Sequence, residues 1–253
     1  MPPLPFRVLR WIVFFLGYTR RAVHFPWFSI GKREPQISLN EVMLEAYPLL
    51  RHGDVIVHRD DGYASNVGIG GAMIHAGIYV GGSQVVEAIR EGVVKRHVGH
   101  ILYSDYACIL RPKFADENTR RAAVAEAIRW AEKAVGFEYD VLFDFNSDEK
   151  RQLIAAGIKE NVRFCCTGIV HYCYLGFVKE LGIHRHRNVS LLTRFISLFG
   201  LHPGKLIVTA DMYLESDLEL IWCSAKVTPE WCLLNGCSKR VADKVNSWWK
   251  ETA

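Results

Sequence analysis

No apolar run near the start of the chain is long enough to cross a bilayer. Trp11-Ile12-Val13-Phe14-Phe15-Leu16-Gly17-Tyr18 is only eight residues, against about 20 for a spanning helix. No Gly-x-Gly-x-x-Gly opens a helix after a strand, which removes the dinucleotide-binding turn, and no Cys and His residues stand at zinc-finger spacing. Gly68-x-Gly70-Gly71 reads only as a flexible loop. There is no basic stripe interleaved with aromatics: 31 Lys and Arg against 27 Asp and Glu leave a net charge of +4 spread along the chain, so nucleic acid is not expected as a partner. No internal repeat is visible. The seven cysteines are odd in number and lack framework spacing, so free thiols in a reducing, cytoplasmic compartment are expected, with Cys108, Cys173 and Cys223 as buried filler. No metal and no cofactor is expected, because His184-Arg185-His186-Arg187 lacks accompanying ligands at metal spacing and reads as a solvated basic loop.

What is present is ample apolar material. At 253 residues and 50% hydrophobic, the chain has enough for a sizeable core and is neither disordered nor low in complexity. Residues 1–36 form an apolar and basic arm, with Arg7, Arg10, Arg20 and Arg21 around the Trp11–Tyr18 run. Three readings stay open for it: an interfacial anchor giving peripheral membrane contact through residues 1–30, a helix packed on the domain, and an export signal, for which no small-x-small cleavage site follows closely. Residues 37–225 form the main domain, and 226–253 a helical extension.

Within the main domain, Ser38 to Tyr47 reads as a helix with capping-box spacing between Ser38 and Glu41. Strands are expected near 54–58, 74–80, 84–89, 106–111, 206–208 and 218–222. Asn118 to Val135 reads as a helix, with Ala123, Ala127, Ala131 and Ala134 on one side and Gly136 at the stop. Phe137 to Arg163 reads as mostly loop with a short helical piece at 148–156. A second major helix starts at Cys166 and ends by Gly182. Strands and helices in this grouping indicate an α+β fold rather than a doubly wound sheet.

Two segments carry chemistry. Phe164-Cys165-Cys166-Thr167-Gly168-Ile169-Val170-His171-Tyr172 places a cysteine at a helix start, where free N–H groups and the helix dipole favour a thiolate. Met73 to Ala88 reads as a hairpin in which His75, Gly77 and Tyr79 share one face and Ile74, Ala76, Ile78 and Val80 the apolar other. A three-residue loop over Val80, Gly81 and Gly82 would pair Tyr79 with Ser83 and set His75 directly opposite Glu87. Glu87 would then fix the His75 tautomer and leave the other ring nitrogen for the thiol, completing a Cys-His-acid set.

Cys166-Thr167-Gly168-Ile169-Val170-His171-Tyr172 resembles the Cys-Ser-Gly-Leu-Val-x-Tyr motif of the NlpC-type papain-like amidases, and Tyr139-Asp140 resembles their Pro-Tyr segment. The histidine strand here precedes the cysteine, as in the circularly permuted branch. The run Gly53-Asp54-Val55-Ile56, His75-Ala76-Gly77-Ile78-Tyr79, Val86-Glu87-Ala88, Gly92-Val93, Tyr139-Asp140, Phe143 and Cys166-Thr167 is similar to the YiiX-like permuted hydrolases, over residues 50 to 225. Cys165 stands where the family has Tyr or Asp, and Thr167-Gly168 where the YiiX-like members have Ser-Glu.

The resemblance implies a circularly permuted papain-like (NlpC-type) domain with an antiparallel sheet packed with helices. It implies a cysteine amidase or peptidase-like hydrolase with Cys166 as nucleophile, His75 as base, Glu87 as orienting acid and Tyr139 near the acyl or oxyanion site. Cys165 is the competing nucleophile. A peptide, an amide and a lipid ester remain open as substrates. Acyl transfer of the lecithin-retinol acyltransferase kind and an inactive binding domain remain open as alternatives to hydrolysis.

Overall fold

A computed structural model of the chain describes residues 11, 21–24, 27–30, 35–61, 63, 71–141, 145–184 and 209–252. Phe143, the strand expected at 206–208, the Gly68–Gly70 loop, Arg185 to Arg187 of the basic cluster and most of the N-terminal arm lie outside them. Two strands of the arm are described, β1 (Arg21–His24) and β2 (Trp27–Ile30), paired antiparallel. Among the described residues no helix is long and apolar enough to cross a membrane.

The body is mixed α+β. After helix α1 (Glu41–Ala46) come β3 (Val55–Arg59), β4 (His75–Gly81), β5 (Gln84–Ile89), β6 (Gly92–His97), the single turn α2 (Gly99–Leu102) and β7 (Tyr106–Arg111). Next are α3 (Glu117–Ala134), β8 (Glu138–Tyr139), α4 (Ser147–Ala155), β9 (Arg163–Phe164) and α5 (Cys166–Cys173), then α6 (Asp211–Glu215), β10 (Glu219–Cys223), α7 (Pro229–Leu234) and α8 (Lys239–Thr252). An antiparallel six-stranded sheet runs in the order β10-β7-β3-β4-β5-β6.

Helices cover both faces of this sheet. Val55, Val57, Ala76, Ile78, Val86 and Leu110 pack in one core with α3 and α5 through Ala127, Trp130, Ala131, Ile169 and Val170. Ile56, Tyr79, Val85 and Ile109 pack on the other face with Val42 and Ala46 of α1 and Ile101 and Leu102 around α2. The His75, Gly77 and Tyr79 face is therefore also enclosed, although its period-two pattern reads as the more polar one. Val241, Ala242 and Val245 of α8 join the first core.

The helix expected from Asn118 forms as α3 one residue earlier, at Glu117, because the Asp116 carboxylate accepts from Thr119 N at 2.9 Å and closes the N-terminus. At α1 only half of the expected capping box forms. Ser38 Oγ accepts from Glu41 N at 3.1 Å, but the Glu41 carboxylate turns away to accept from Ala225 N at 2.8 Å, tying the start of α1 to the end of β10. The segment expected to run as one helix from Cys166 to Gly182 is helical only to Cys173, with a tighter turn over Leu175–Phe177. Residues 92–97, which carried no strand expectation, form β6 and extend the sheet beyond the hairpin.

The β4–β5 hairpin turns more tightly than expected. Gly82 and Ser83 have φ of 57° and 63°, as a two-residue hairpin loop requires, and a bulge at Val80 absorbs one residue before Gly81 pairs with Gln84. The register is consequently Tyr79 with Val85 and Gly77 with Glu87, so His75 is not directly opposite Glu87. The slip is two residues, which preserves the face of every side chain.

Candidate active site

The structure brings together the four residues singled out from the sequence. Cys166 opens α5, His75 opens β4, Glu87 lies within β5 and Tyr139 ends β8. His75 Nε2 bonds Glu87 Oε2 at 2.6 Å along the diagonal that the corrected register creates. Gly77 makes this possible: a Cβ there would stand 2.8 Å from Val85 Cγ2, 3.0 Å from Ile101 Cδ1 and 3.3 Å from Glu87 Cβ. With Nε2 taken, Nδ1 is the nitrogen left to serve Cys166, whose interaction with the ring raises the histidine pKa and lowers that of the thiol.

Cys166 is nearly enclosed, 7% exposed. As a thiol it donates to Ile74 O at 3.6 Å, and the Tyr139 hydroxyl points at the sulfur from 3.9 Å. Burial by itself would push the thiol pKa up. The hydrogen bond and positive charge of His75, followed by the Tyr139 hydroxyl and the Thr167 backbone N–H, bring it below its ordinary value. Burial likewise works against a charged His75, yet the Cys166 and Glu87 hydrogen bonds hold its pKa up at about 10. Burial would raise Glu87, and the bonds from His75 and Arg96 hold it down at about 2. Together these directions favour the thiolate over the thiol and the imidazolium over the neutral ring, with a carboxylate behind the histidine.

Cys165 occupies a different environment. It is 1% exposed, its sulfur rests 3.9 Å from Thr167 Oγ1, and burial, followed by the neighbouring Cys166, raises its pKa to about 12. Cys166, and not Cys165, is the thiol that raises the His75 pKa.

Tyr139 is held by the short parallel pairing of β8 with β9, where it stands beside Phe164. Asp140 N donates to Phe164 O at 3.0 Å, and Lys150 from α4 lies 3.7 Å from the buried Asp140 carboxylate. Burial first, and then Cys166, raises the Tyr139 pKa well above its usual value, so the hydroxyl stays a donor.

Two residues at the site carried no expectation. Arg96 on β6 donates from Nε to Glu87 Oε1, so the fully buried carboxylate is shared between a histidine and an arginine. His58 on β3 stands beside His75. The alternation Val94-Lys95-Arg96 after a glycine turn was the available signal for Arg96: residue 94 pairs with Glu87, and residue 96 shares its face. Among the described residues no group of three or more His, Cys, Asp or Glu side chains is arranged to hold a metal ion.

No protein-family model matches the chain, and no curated protein matches it. Among solved structures it is similar to metalloprotein yiiX from Escherichia coli O157:H7, at 14% identity and a TM-score of 0.48, covering 68% of this chain and 96% of that one.

Proposed function

We propose that the protein is a cysteine hydrolase of the permuted papain-like, YiiX-like kind, cleaving an amide or ester through an acyl-enzyme on Cys166. The observation that carries this reading is the meeting of Cys166, His75 and Glu87: the imidazole is hydrogen-bonded to the buried Glu87 carboxylate at 2.6 Å, and its interaction with Cys166 brings the thiol pKa down.

In this mechanism the Cys166 thiolate attacks the carbonyl carbon, and the carbonyl π electrons move to oxygen. The Tyr139 hydroxyl, a donor 3.9 Å from the sulfur, supports that oxyanion; one such donor is worth about 3 kcal/mol in the transition state. His75 Nδ1–H then gives its proton to the leaving amine or alcohol as the carbon–heteroatom bond breaks. Water, deprotonated by the now neutral His75, attacks the thioester, the carbon–sulfur bond breaks, and acid and thiolate are regenerated. Glu87 accepts from His75 Nε2 throughout and keeps the tautomer fixed.

The test is intact-mass detection of an acylated enzyme after exposure to an activated short-chain ester, on wild type, Cys166→Ala and Cys165→Ala. One acyl group on wild type and on Cys165→Ala, and none on Cys166→Ala, is the expected pattern. Acylation that persists in Cys166→Ala and disappears in Cys165→Ala would overturn the assignment.

A further inference from the structure

Among the described residues, a polar atom beside the candidate pair lacks a partner. His58 on β3 is in register with His75 on β4. The two rings meet edge to face, 4.8 Å between centroids and 70° between planes. His58 Nδ1 is enclosed and has no hydrogen-bond partner among the described residues. A buried nitrogen left unpaired is costly, and an apolar ring of the same shape avoids that cost.

The surroundings define what this ring can do. His58 O accepts from Ile74 N at 3.2 Å, so the backbone that carries His58 also fixes where β4 begins. The charged groups that act on the ring are His75 from β4, which touches it, Glu87 from β5 and Arg96 from β6. Burial, and then the charge on His75, lower the His58 pKa to about 3, with Glu87 opposing and Arg96 assisting. His58 thus stays neutral while its neighbour is charged. A neutral ring can lie against an imidazolium without repulsion, and its π face is electrostatically attractive to the cation.

We infer that His58 is a positioning residue: its neutral ring forms the wall that keeps the His75 imidazole between Glu87 and Cys166. The Glu87 bond fixes one ring nitrogen, but a histidine has two side-chain torsions, and a single hydrogen bond leaves the ring free to swing about it. The His58 ring closes that swing. This role rests on the reading of Cys166 and His75 as the reactive pair.

The test follows the ultraviolet absorbance of the Cys166 thiolate against pH, taken as the difference from Cys166→Ala, in full-length wild type, His58→Ala and His58→Phe, with melting temperatures recorded alongside. Removing the wall in His58→Ala is expected to raise the Cys166 titration by about one pH unit or more, a tenfold change in the ionisation constant. Restoring a ring of similar shape in His58→Phe is expected to return the titration toward wild type. His58→Ala titrating like wild type overturns the role whether or not its melting temperature falls, because packing alone would alter stability and leave the thiolate unmoved. A folded His58→Phe that fails to rescue also overturns it. Wild type with no thiolate below about pH 7 would overturn the Cys166–His75 pair itself and, with it, the role of His58.

Discussion

Gly77 and Glu87 stand directly opposite each other on β4 and β5, and the absence of a side chain at 77 lets His75 reach the carboxylate from two residues along the strand. Any larger residue at 77 meets Val85, Ile101 and Glu87 within 3.3 Å. Gly77→Val is expected to destabilise the fold by about 1–3 kcal/mol through overpacking and to slow Cys166 alkylation at neutral pH. Urea unfolding together with alkylation rates checks both. Unchanged alkylation in a folded variant would show that Gly77 has no part in placing the pair.

Glu87→Gln keeps the shape of the side chain and removes its charge. His75 then loses one of the interactions that hold it at about 10, and Arg96 loses its counter-ion. Acyl-enzyme formation against pH is expected to narrow from both sides: the basic limb moves down with His75 and the acidic limb moves up with Cys166, each by about one unit. A profile that superimposes on wild type would contradict the role of Glu87.

The same carboxylate makes a separate prediction for stability. Its folded pKa of about 2 lies below the ordinary glutamate value of 4.5, so the folded state binds this proton less readily than the unfolded chain does. The stabilisation is complete above pH 4.5 and is lost as pH falls toward 2, on the order of 3 kcal/mol in all. Denaturation midpoints across this window should fall less steeply in Glu87→Gln than in wild type. Equal slopes would contradict the depressed pKa.

Tyr139→Phe removes the hydroxyl facing the sulfur from 3.9 Å and leaves the ring packing. The Cys166 titration is expected to rise by about half a unit to one unit, as for a weak hydrogen bond to a charged group, while acylation falls further because the oxyanion also loses its donor. If acylation falls only as much as the thiolate population does, Tyr139 acts on the sulfur alone.

Asp54 belongs to the Gly53-Asp54 element of the family resemblance, and its role here is to hold the fold. Its fully buried carboxylate accepts from Arg111 Nε and Nη2 and from Arg51 N, each at 2.8 Å. Asp54→Ala leaves the Arg111 guanidinium, 12% exposed, without its carboxylate and should cost about 3–5 kcal/mol. A loss below about 1 kcal/mol in chemical denaturation would contradict this.

The features that could be read from sequence are those with a local physical cause. The alanines on the buried side of α3, the start of α5 at Cys166, and the face shared by His75 and Glu87 follow from periodicity alone. The hairpin register was misplaced because one bulged residue at Val80 and positive φ at Gly82 and Ser83 shortened the loop, which no side-chain pattern announces. Arg96 and His58 were missed for a different reason. Each lies on a strand that reaches the site only through the order of the sheet, β3-β4-β5-β6, and Lys95-Arg96-His97 reads locally as a solvated stretch. The Glu41 carboxylate was misassigned because its partner, Ala225, lies far away in sequence.

The central claim is that Cys166 and His75 form an activated pair in the free protein. Iodoacetamide labelling across pH 5 to 9 with peptide mapping, on wild type and His75→Ala, tests it most directly. The account predicts selective modification of Cys166 below about pH 7 in wild type, and its disappearance in His75→Ala. Slow labelling shared among several cysteines and unchanged by the substitution would contradict it.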